Sequence, residues 1–590
     1  MHCSRNRIPS TVILTLVIVI LSINSLNASG SLLATYIGGS SKEGWQYTGA
    51  IDIAIASDHT VYVIGVTTST DFPVTLGAYV CASRGMEDFF IARFSPDLST
   101  LLVAIVIGGS NNEMNPQIVL ASDGTVYISG ATLSSNFPTT AGAYDRTAST
   151  LADIFIARLN AELTTLQAST LLGGNGHEDS GVLALDAEGN VLIAGQTSGG
   201  SSNTYPTTAG AYDRTANPYY TDFFVSKLNA SLTSLLASTF LGGRYNELWP
   251  GLALDAEGNI FVSGASESDD YPTTAGTYSE TYHGTPSPGA YLYDVVVSKL
   301  SSDLTTLQAS TYVGTDHFEV GSNTCVDPDG NVFVAGHTDG IDYPVTPGVY
   351  DGVHNGSNEF MVTKLNNDLT SIVASTYFTP DEVGFMYSTN QVCDGEGNLL
   401  MVGNGWAGVP VTADAYDPTH NGADLVGDGF VRSMTGDLTT LSYGSYLGGT
   451  GEEFDAAVVV GADGVLYIAG YTASADFPVS SLAYDRTFNG GAGDAYVARL
   501  DRRPPCCVGR VGDANGDGAD EPTIGDVSVL IDAKFITGRC AGIIDCTAEA
   551  DINQSGGTGP ECDDITIGDI STLIDYLFIT GSSLGLPDCH

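Results

Sequence analysis

A strand that ends in Gly-Gly, or in a remnant of that pair, returns seven times along the chain, and this repeat restricts the fold more than any other feature. The endings are Ile37-Gly38-Gly39, Ile107-Gly108-Gly109, Leu172-Gly173-Gly174, Leu241-Gly242-Gly243, Val313-Gly314-Thr315, Phe378-Thr379-Pro380 and Leu447-Gly448-Gly449, spaced by 70, 65, 69, 72, 65 and 69 residues. Each is followed by a second strand, a turn such as Asp186-Ala187-Glu188-Gly189-Asn190, and a third strand such as the one from Val191. A loop then carries an aromatic residue before proline: Phe72-Pro73, Phe137-Pro138, Tyr205-Pro206, Tyr271-Pro272, Tyr343-Pro344 and Phe477-Pro478, reduced to Val409-Pro410 in the sixth unit. A fourth strand closes the unit and starts at Asp88, Asp153, Asp222, Asp294 and Asp494 in the clearest copies.

Four short strands are the content of one propeller blade, and radial repetition leaves only short, protected edges. Seven units predict a mainly β chain with a seven-bladed β-propeller. The phase of the repeat predicts how the ring shuts. Residues 31–39 read as an outer strand, whereas the last unit stops at Leu500 without one. The N-terminal strand is therefore expected to complete the last blade. On these recurring motifs, residues 31–503 resemble the SBBP-type β-propeller repeat family of exported bacterial proteins. That resemblance implies the fold and leaves the activity open, because propellers host binding and catalysis alike.

The formal charge is −48, from 20 Lys and Arg against 68 Asp and Glu. Such a surface repels phosphate backbones and excludes nucleic acid as a partner, while divalent cations are natural counter-ions. Arg5 and Arg7 precede an apolar run, Val12 to Ile23, and Ala28 and Gly30 supply small residues for cleavage. The run is shorter than the roughly 20 residues of a membrane span. Residues 1–30 thus read as a secretory signal, predicting an exported protein, extracellular or attached to the cell surface, with no membrane span after cleavage. Of ten cysteines, six lie in the last 85 residues: Cys506, Cys507, Cys540, Cys546, Cys562 and Cys589. In an exported chain such a cluster suggests disulfides, in any of about fifteen pairings.

From residue 504 the composition changes. Helix-like segments begin at Thr523 and Thr566, each preceded by oxygen-bearing residues at alternate positions. Asp513, Asn515 and Asp517 precede the first, with Asp526 at the helix start; Asp551, Asn553 and Ser555 precede the second, with Asp569. Alternate positions aim their oxygens at one point, and Gly518 and Gly556 make the sharp turn of a calcium loop. The duplicated loop–helix unit resembles a type I dockerin. The resemblance implies a small α-helical domain over 504–590 that binds two Ca2+ and docks to a cohesin-like scaffold or cell-surface protein. Its loops depart from the usual spacing: first to last ligand spans 526 − 513 = 13 and 569 − 551 = 18 residues. A calcium-stapled cap without a partner is the other reading.

No catalytic or cofactor-binding residue is identified: the H-E-x-x-H pair and the P-loop are missing from the sequence. His177, His317, His337 and His354 do not recur with the repeat and read as loop histidines. The aromatic-Pro loops, each followed by a tyrosine (Tyr79, Tyr144, Tyr212, Tyr278, Tyr350, Tyr416, Tyr484), admit two readings. They pack between blades, which regular recurrence favours, or they stack on sugar faces. Glu43, Glu113, Glu178, Glu247, Glu319 and Glu453 hold one repeat position, and Arg93, Arg158, Lys227, Lys299, Lys364 and Arg499 another. A cation buried between blades needs a partner, so these two sets are expected to pair; the alternative is a glutamate ring that holds metal at the channel mouth.

The favoured function is a secreted, non-catalytic propeller that binds an extracellular ligand such as a polysaccharide or glycan and docks through its calcium-dependent tail. The alternatives are a polysaccharide-active hydrolase or lyase carrying a dockerin, and a structural adhesion component. A catalytic propeller should show a non-repeating cluster of carboxylates or histidines at one mouth of its channel, and a binder a broad aromatic face.

Overall fold

The computed structural model describes residues 31–502 except 45–50, 80–84, 201–202, 285–291, 356–357, 379–385 and 423–425. The 1–30 segment and the 504–590 tail, with Asp513, Asn515, Asp517, Asp526, Asp551, Asn553, Ser555 and Asp569, lie outside the described residues.

The described strands form seven four-stranded antiparallel sheets, the blades of a seven-bladed β-propeller. In blade 1 the order from the channel outward is Ile51–Ile55, Val61–Thr67, Asp88–Phe94 and Leu101–Ile107. Blades 2 to 6 repeat this order. Blade 7 takes the last three described strands (Glu453–Val460, Leu466–Thr472, Asp494–Asp501) and, as its outer strand, the first, Ser31–Ile37. The pairing runs from Ser31 opposite Asp501 to Ile37 opposite Ala495. Tyr36 locks it: fully buried, it donates its hydroxyl to the Ser474 carbonyl (2.8 Å) and its amide to the Asp485 carbonyl (3.1 Å).

Blades pack face to face, so inner sheet positions are apolar on both sides, as in Asp88–Phe94, where every residue except Arg93 is buried. The aromatic-Pro residues belong to this packing. Phe72 stacks on Phe90 (4.7 Å), Phe137 on Phe155 (4.0 Å) and Tyr205 on Phe224 (4.3 Å). The tyrosines that follow staple neighbouring blades. Tyr79 donates its amide to the Leu163 carbonyl in the next blade's outer hairpin (2.8 Å), and Tyr144 to Leu232, Tyr212 to Leu304, Tyr278 to Leu369, Tyr350 to Leu438 and Tyr484 to Leu98 do the same. Blade 7 has no such hairpin, because its outer strand comes from the N-terminus, and Tyr416 bonds the Tyr443 hydroxyl instead (3.3 Å). Packing therefore claims the aromatic-Pro rings, which are buried, so the sugar-stacking reading falls for them, while Tyr278 and Tyr484 stay 38% exposed.

The inferred pairing of repeat glutamates with repeat cations is also wrong, for a reason of strand direction. Each glutamate stands at one end of its blade, here the upper rim, at the start of an inner strand or, for Glu43, in a bridge to Thr67, whereas each cation sits five residues along a third strand that runs away from that rim. At about 3.3 Å per residue this separates the two by roughly 17 Å. The cations instead meet the aspartate of the turn between inner and second strands, on the lower rim. The pairs are Arg93–Asp58 (3.0 Å), Lys227–Asp186 (2.7 Å), Lys299–Asp255 (3.0 Å), Lys364–Asp327 (2.8 Å) and Arg499–Asp463 (3.9 Å). Each cation also faces its second-strand neighbour: Arg93 lies over Tyr62, Arg158 over Tyr127, Lys299 over Phe261 and Lys364 over Phe333. A Cys325–Cys393 disulfide joins the inner strands of blades 5 and 6.

Candidate functional site

The inner strands enclose a channel cavity of about 440 Å³ lined by Asp52, Asn115, Gln117, Asn323, Asn390 and Gln391 among others. These side chains mostly tie blade to blade. Asp52 accepts the Ile118 amide of the next blade (2.8 Å), Asn115 donates to Asp179 (2.5 Å) and Gln391 to the Asn323 carbonyl (2.6 Å). Burial pushes the Asp52 carboxyl up to about 6.

Above the channel, the upper rim of blades 3 to 5 breaks the repeat. Inner strands carry a bulge near their start, and in blade 4 it falls between Leu248 and Gly251. There Trp249 is held at φ 57° and its ring is 42% exposed. Tyr219, in the loop before the third strand of blade 3, has φ 76° and is 75% exposed. A left-handed backbone at a bulky residue costs about 1–2 kcal/mol and persists where the surroundings impose it. Asn115, at the same bulge position of blade 2, shares this backbone (φ 56°), and most other positive-φ residues that are not glycine are the repeat hairpin leucines Leu98, Leu163, Leu232, Leu304, Leu369 and Leu438, which are buried and structural.

The aromatic groups continue across the rim. Tyr220 meets Tyr245 edge to face (5.4 Å), with the Arg244 guanidinium over the Tyr245 ring (5.2 Å) and paired to Asp269. Trp249 meets Tyr293 (5.9 Å), which meets Phe318 (5.9 Å). Beside Phe318, His317 lies between Asp316 (Nε2–Oδ1, 3.5 Å) and Asp339 (Nδ1–Oδ1, 3.6 Å), and Asp316, His317 and Asp342 can each bring one ligand atom within 4.8 Å of the others. His283 bonds Asp294 (2.9 Å), and that hydrogen bond raises the His283 pKa above its usual value. His354, on the following loop, is pulled down by burial. His317 and His354 thus converge on one rim instead of being scattered, whereas His337 is enclosed beside Phe360, where burial lowers it to about 4.

Sequence reasoning missed Trp249 and Tyr219. A signal was available. The position two residues past each repeat glutamate holds Trp45, Asn115, Ser180, Trp249, Gly321 and Asp455, so two of the three tryptophans share a position that otherwise varies from blade to blade. Trp45 lies outside the described residues.

No protein-family model and no curated protein matches the chain. Among solved structures it is similar to the polysaccharide lyase Uly1 (9% identity, 80% of this chain and 99% of that one, TM-score 0.41). It is also similar to a protein of unknown function from Dyadobacter fermentans (10%, 80% and 98%, 0.38) and to the GH93 alpha-L-arabinofuranosidase of Fusarium graminearum (11%, 80% and 98%, 0.36). Likeness at these scores carries no argument about the site. Among the described residues no helix is long and apolar enough to cross a membrane.

Proposed function

We propose that the protein is an exported, non-catalytic propeller that binds a glycan across the upper rim of blades 3 to 5. The observation that carries this reading is Trp249, a large ring held outward by a left-handed backbone at the channel mouth. Rigid, exposed aromatic rings with polar neighbours suit the flat apolar faces of sugars. The charge of −48 disfavours polyanions, so the glycan is neutral. Arg244, the cation of this arc, is already paired with Asp269. In the same proposal the tail from 504 binds two Ca2+ through Asp513, Asn515, Asp517 and Asp526 and through Asp551, Asn553, Ser555 and Asp569. It then docks to a cohesin-like partner, at the cell surface or on a scaffold.

A glycan array followed by calorimetry tests the binding. Trp249→Ala should weaken the selected glycan by ~10-fold or more, the loss expected of an aromatic anchor. Retention of no neutral glycan, or unchanged affinity in the variant, overturns the reading. The Asp316–His317–Asp339 cluster favours a second reading, a polysaccharide-cleaving enzyme on the same rim. Release of shortened products, abolished by His317→Ala, would establish it.

A further inference from the structure

At each Gly-Gly crossing, the acid that opens the third strand of one blade meets the glutamate that opens the inner strand of the next. The pairs are Asp88 with Glu113, Asp153 with Glu178, Asp222 with Glu247, Asp294 with Glu319, Asp428 with Glu453, and Asp494 with Glu43 across the seam of the ring. The first glycine is what lets them approach. A Cβ on Gly108 would stand 2.0 Å from Asp88 Oδ1 and 2.5 Å from Glu113 Oε2, and one on Gly38 would stand 2.7 Å from Asp494 Oδ1 and 2.8 Å from Glu43 Oε2. All six glutamates are fully buried, and the aspartates are buried as well.

Donors surround the carboxylates of each pair. Glu453 Oε1 accepts the Thr472 hydroxyl (2.6 Å) and Oε2 the Gly449 amide (3.1 Å), while Asp428 Oδ2 accepts the Asn421 amide (2.6 Å). The Glu178, Glu247 and Glu319 pairs repeat this pattern. The facing oxygens Oδ1 of Asp294, Asp428 and Asp494 are buried without a hydrogen-bond partner. Two ionised carboxylates at such range cannot both persist in a dry site. One remedy is a metal ion, but calcium takes six to eight oxygens, and the groups around each pair are backbone N–H and Ser/Thr hydroxyl donors already directed at its carboxylate oxygens. A proton needs only the two facing oxygens.

We propose that each of these six blade junctions holds one proton shared between its two carboxyls, and that these protons make the closure of the ring sensitive to pH. The surrounding charges agree. The groups facing the pairs from adjoining loops and strands are mostly acids and phenols: Asp145 near Asp153, Asp213 near Asp222, Asp417 near Asp428, Asp485 near Asp494, Asp455 beside Glu453, and Tyr271 and Tyr312 beside Glu247. His283 faces Asp294 and His420 faces Asp428. Burial pushes Glu43, Glu178 and Glu319 up to about 7, and Asp494 to about 7. The exceptional junction, between blades 5 and 6, changes both members: the third strand opens on Glu359 in place of aspartate, and the sequence has Gly384 at the glutamate position.

The test is thermal unfolding of the full chain in chelator from about pH 5 to about pH 9, following the propeller transition, with infrared detection of un-ionised carboxylic acid. A folded pKa raised above the unfolded one gives stability that is complete below the unfolded value and is lost as pH rises through the folded one. The midpoint should therefore fall by roughly 10 °C over that range. The acid carbonyl band should persist near pH 6 in the native protein and vanish on unfolding. Asp428→Asn and Asp494→Asn place a permanent N–H at the facing oxygen. Each should raise the midpoint at alkaline pH, flatten its pH dependence and weaken the acid band. A midpoint that rises with pH, a native protein without the acid band, or asparagine variants less stable than the parent at every pH would overturn the proposal.

Discussion

Lys299 Nζ lies 3.0 Å from Asp255 Oδ2 at the lower rim of blade 4, and the two side chains are 8% and 0% exposed. Burial alone would raise the Asp255 carboxyl, but hydrogen bonds from Asn259 and Lys299 overcome that and hold it below its usual value. Asp255→Ala leaves the ammonium buried with only the Asn367 side-chain oxygen as partner and no counter-charge, and should destabilise the propeller by about 3 kcal/mol in denaturant unfolding. The double variant with Lys299→Met should recover most of that loss. Because the folded pKa is depressed, the contribution of the pair is present above the unfolded aspartate pKa and disappears as pH falls through the folded one. Asp186 and Asp327, also held down, add to the same acid limb.

Gly108 carries no positive φ, so its requirement is one of space. Gly108→Ala would drive a methyl into Asp88 and Glu113 and should cost ~2 kcal/mol or more, as overpacking does. Gly352→Ala, at a position with nothing within 4 Å, should leave the melt unchanged. Equal effects of the two changes would remove the wedge explanation of the Gly-Gly motif.

The Cys325–Cys393 bridge closes a segment of 68 residues between two inner strands. Cys393→Ser should lower stability by ~2–4 kcal/mol. Reduction of the parent should bring it to the variant's melting temperature, and reduction should leave the variant unmoved.

Chelation addresses the tail. If the two loop–helix units fold around Ca2+, the full chain should show a separate transition that EGTA abolishes while the propeller transition stays. Asp513→Ala with Asp551→Ala should reproduce the chelated profile in calcium. Calorimetry that shows the same transitions with and without chelator would leave the tail metal-free.

The blade count and the N-terminal completion of blade 7 were legible because they follow from periodicity, which every copy restates. Partner assignments were harder to read. Glu453 and Arg499 both recur, and each needs a partner, but recurrence does not record which rim a residue occupies. Strand direction does, and it sends Arg499 to Asp463 and Glu453 to Asp428. The rim residues were obscured for the opposite reason. Tyr219 occurs once, and Trp249 shares its repeat position with Trp45 but with other residue types in the remaining blades, so a search for repetition passes over both, and the left-handed backbone that turns them outward exists only in the folded chain. The Cys325–Cys393 bridge was hidden similarly, since two lone cysteines become neighbours only when consecutive blades stack.

The strand Ser31–Ile37 leaves the ribosome first among the blades, and its partner Asp494–Asp501 leaves last, with Leu32 and Leu500 separated by 500 − 32 = 468 residues. Contacts this remote return nothing until the chain between them is ordered. During synthesis, six blades can therefore assemble while the seventh lacks a side and the earliest strand dangles as an unsatisfied edge. A chaperone that holds the newborn chain would shield that edge until the final strand arrives, and a protease acting before then would find its target in Ser31–Ile37.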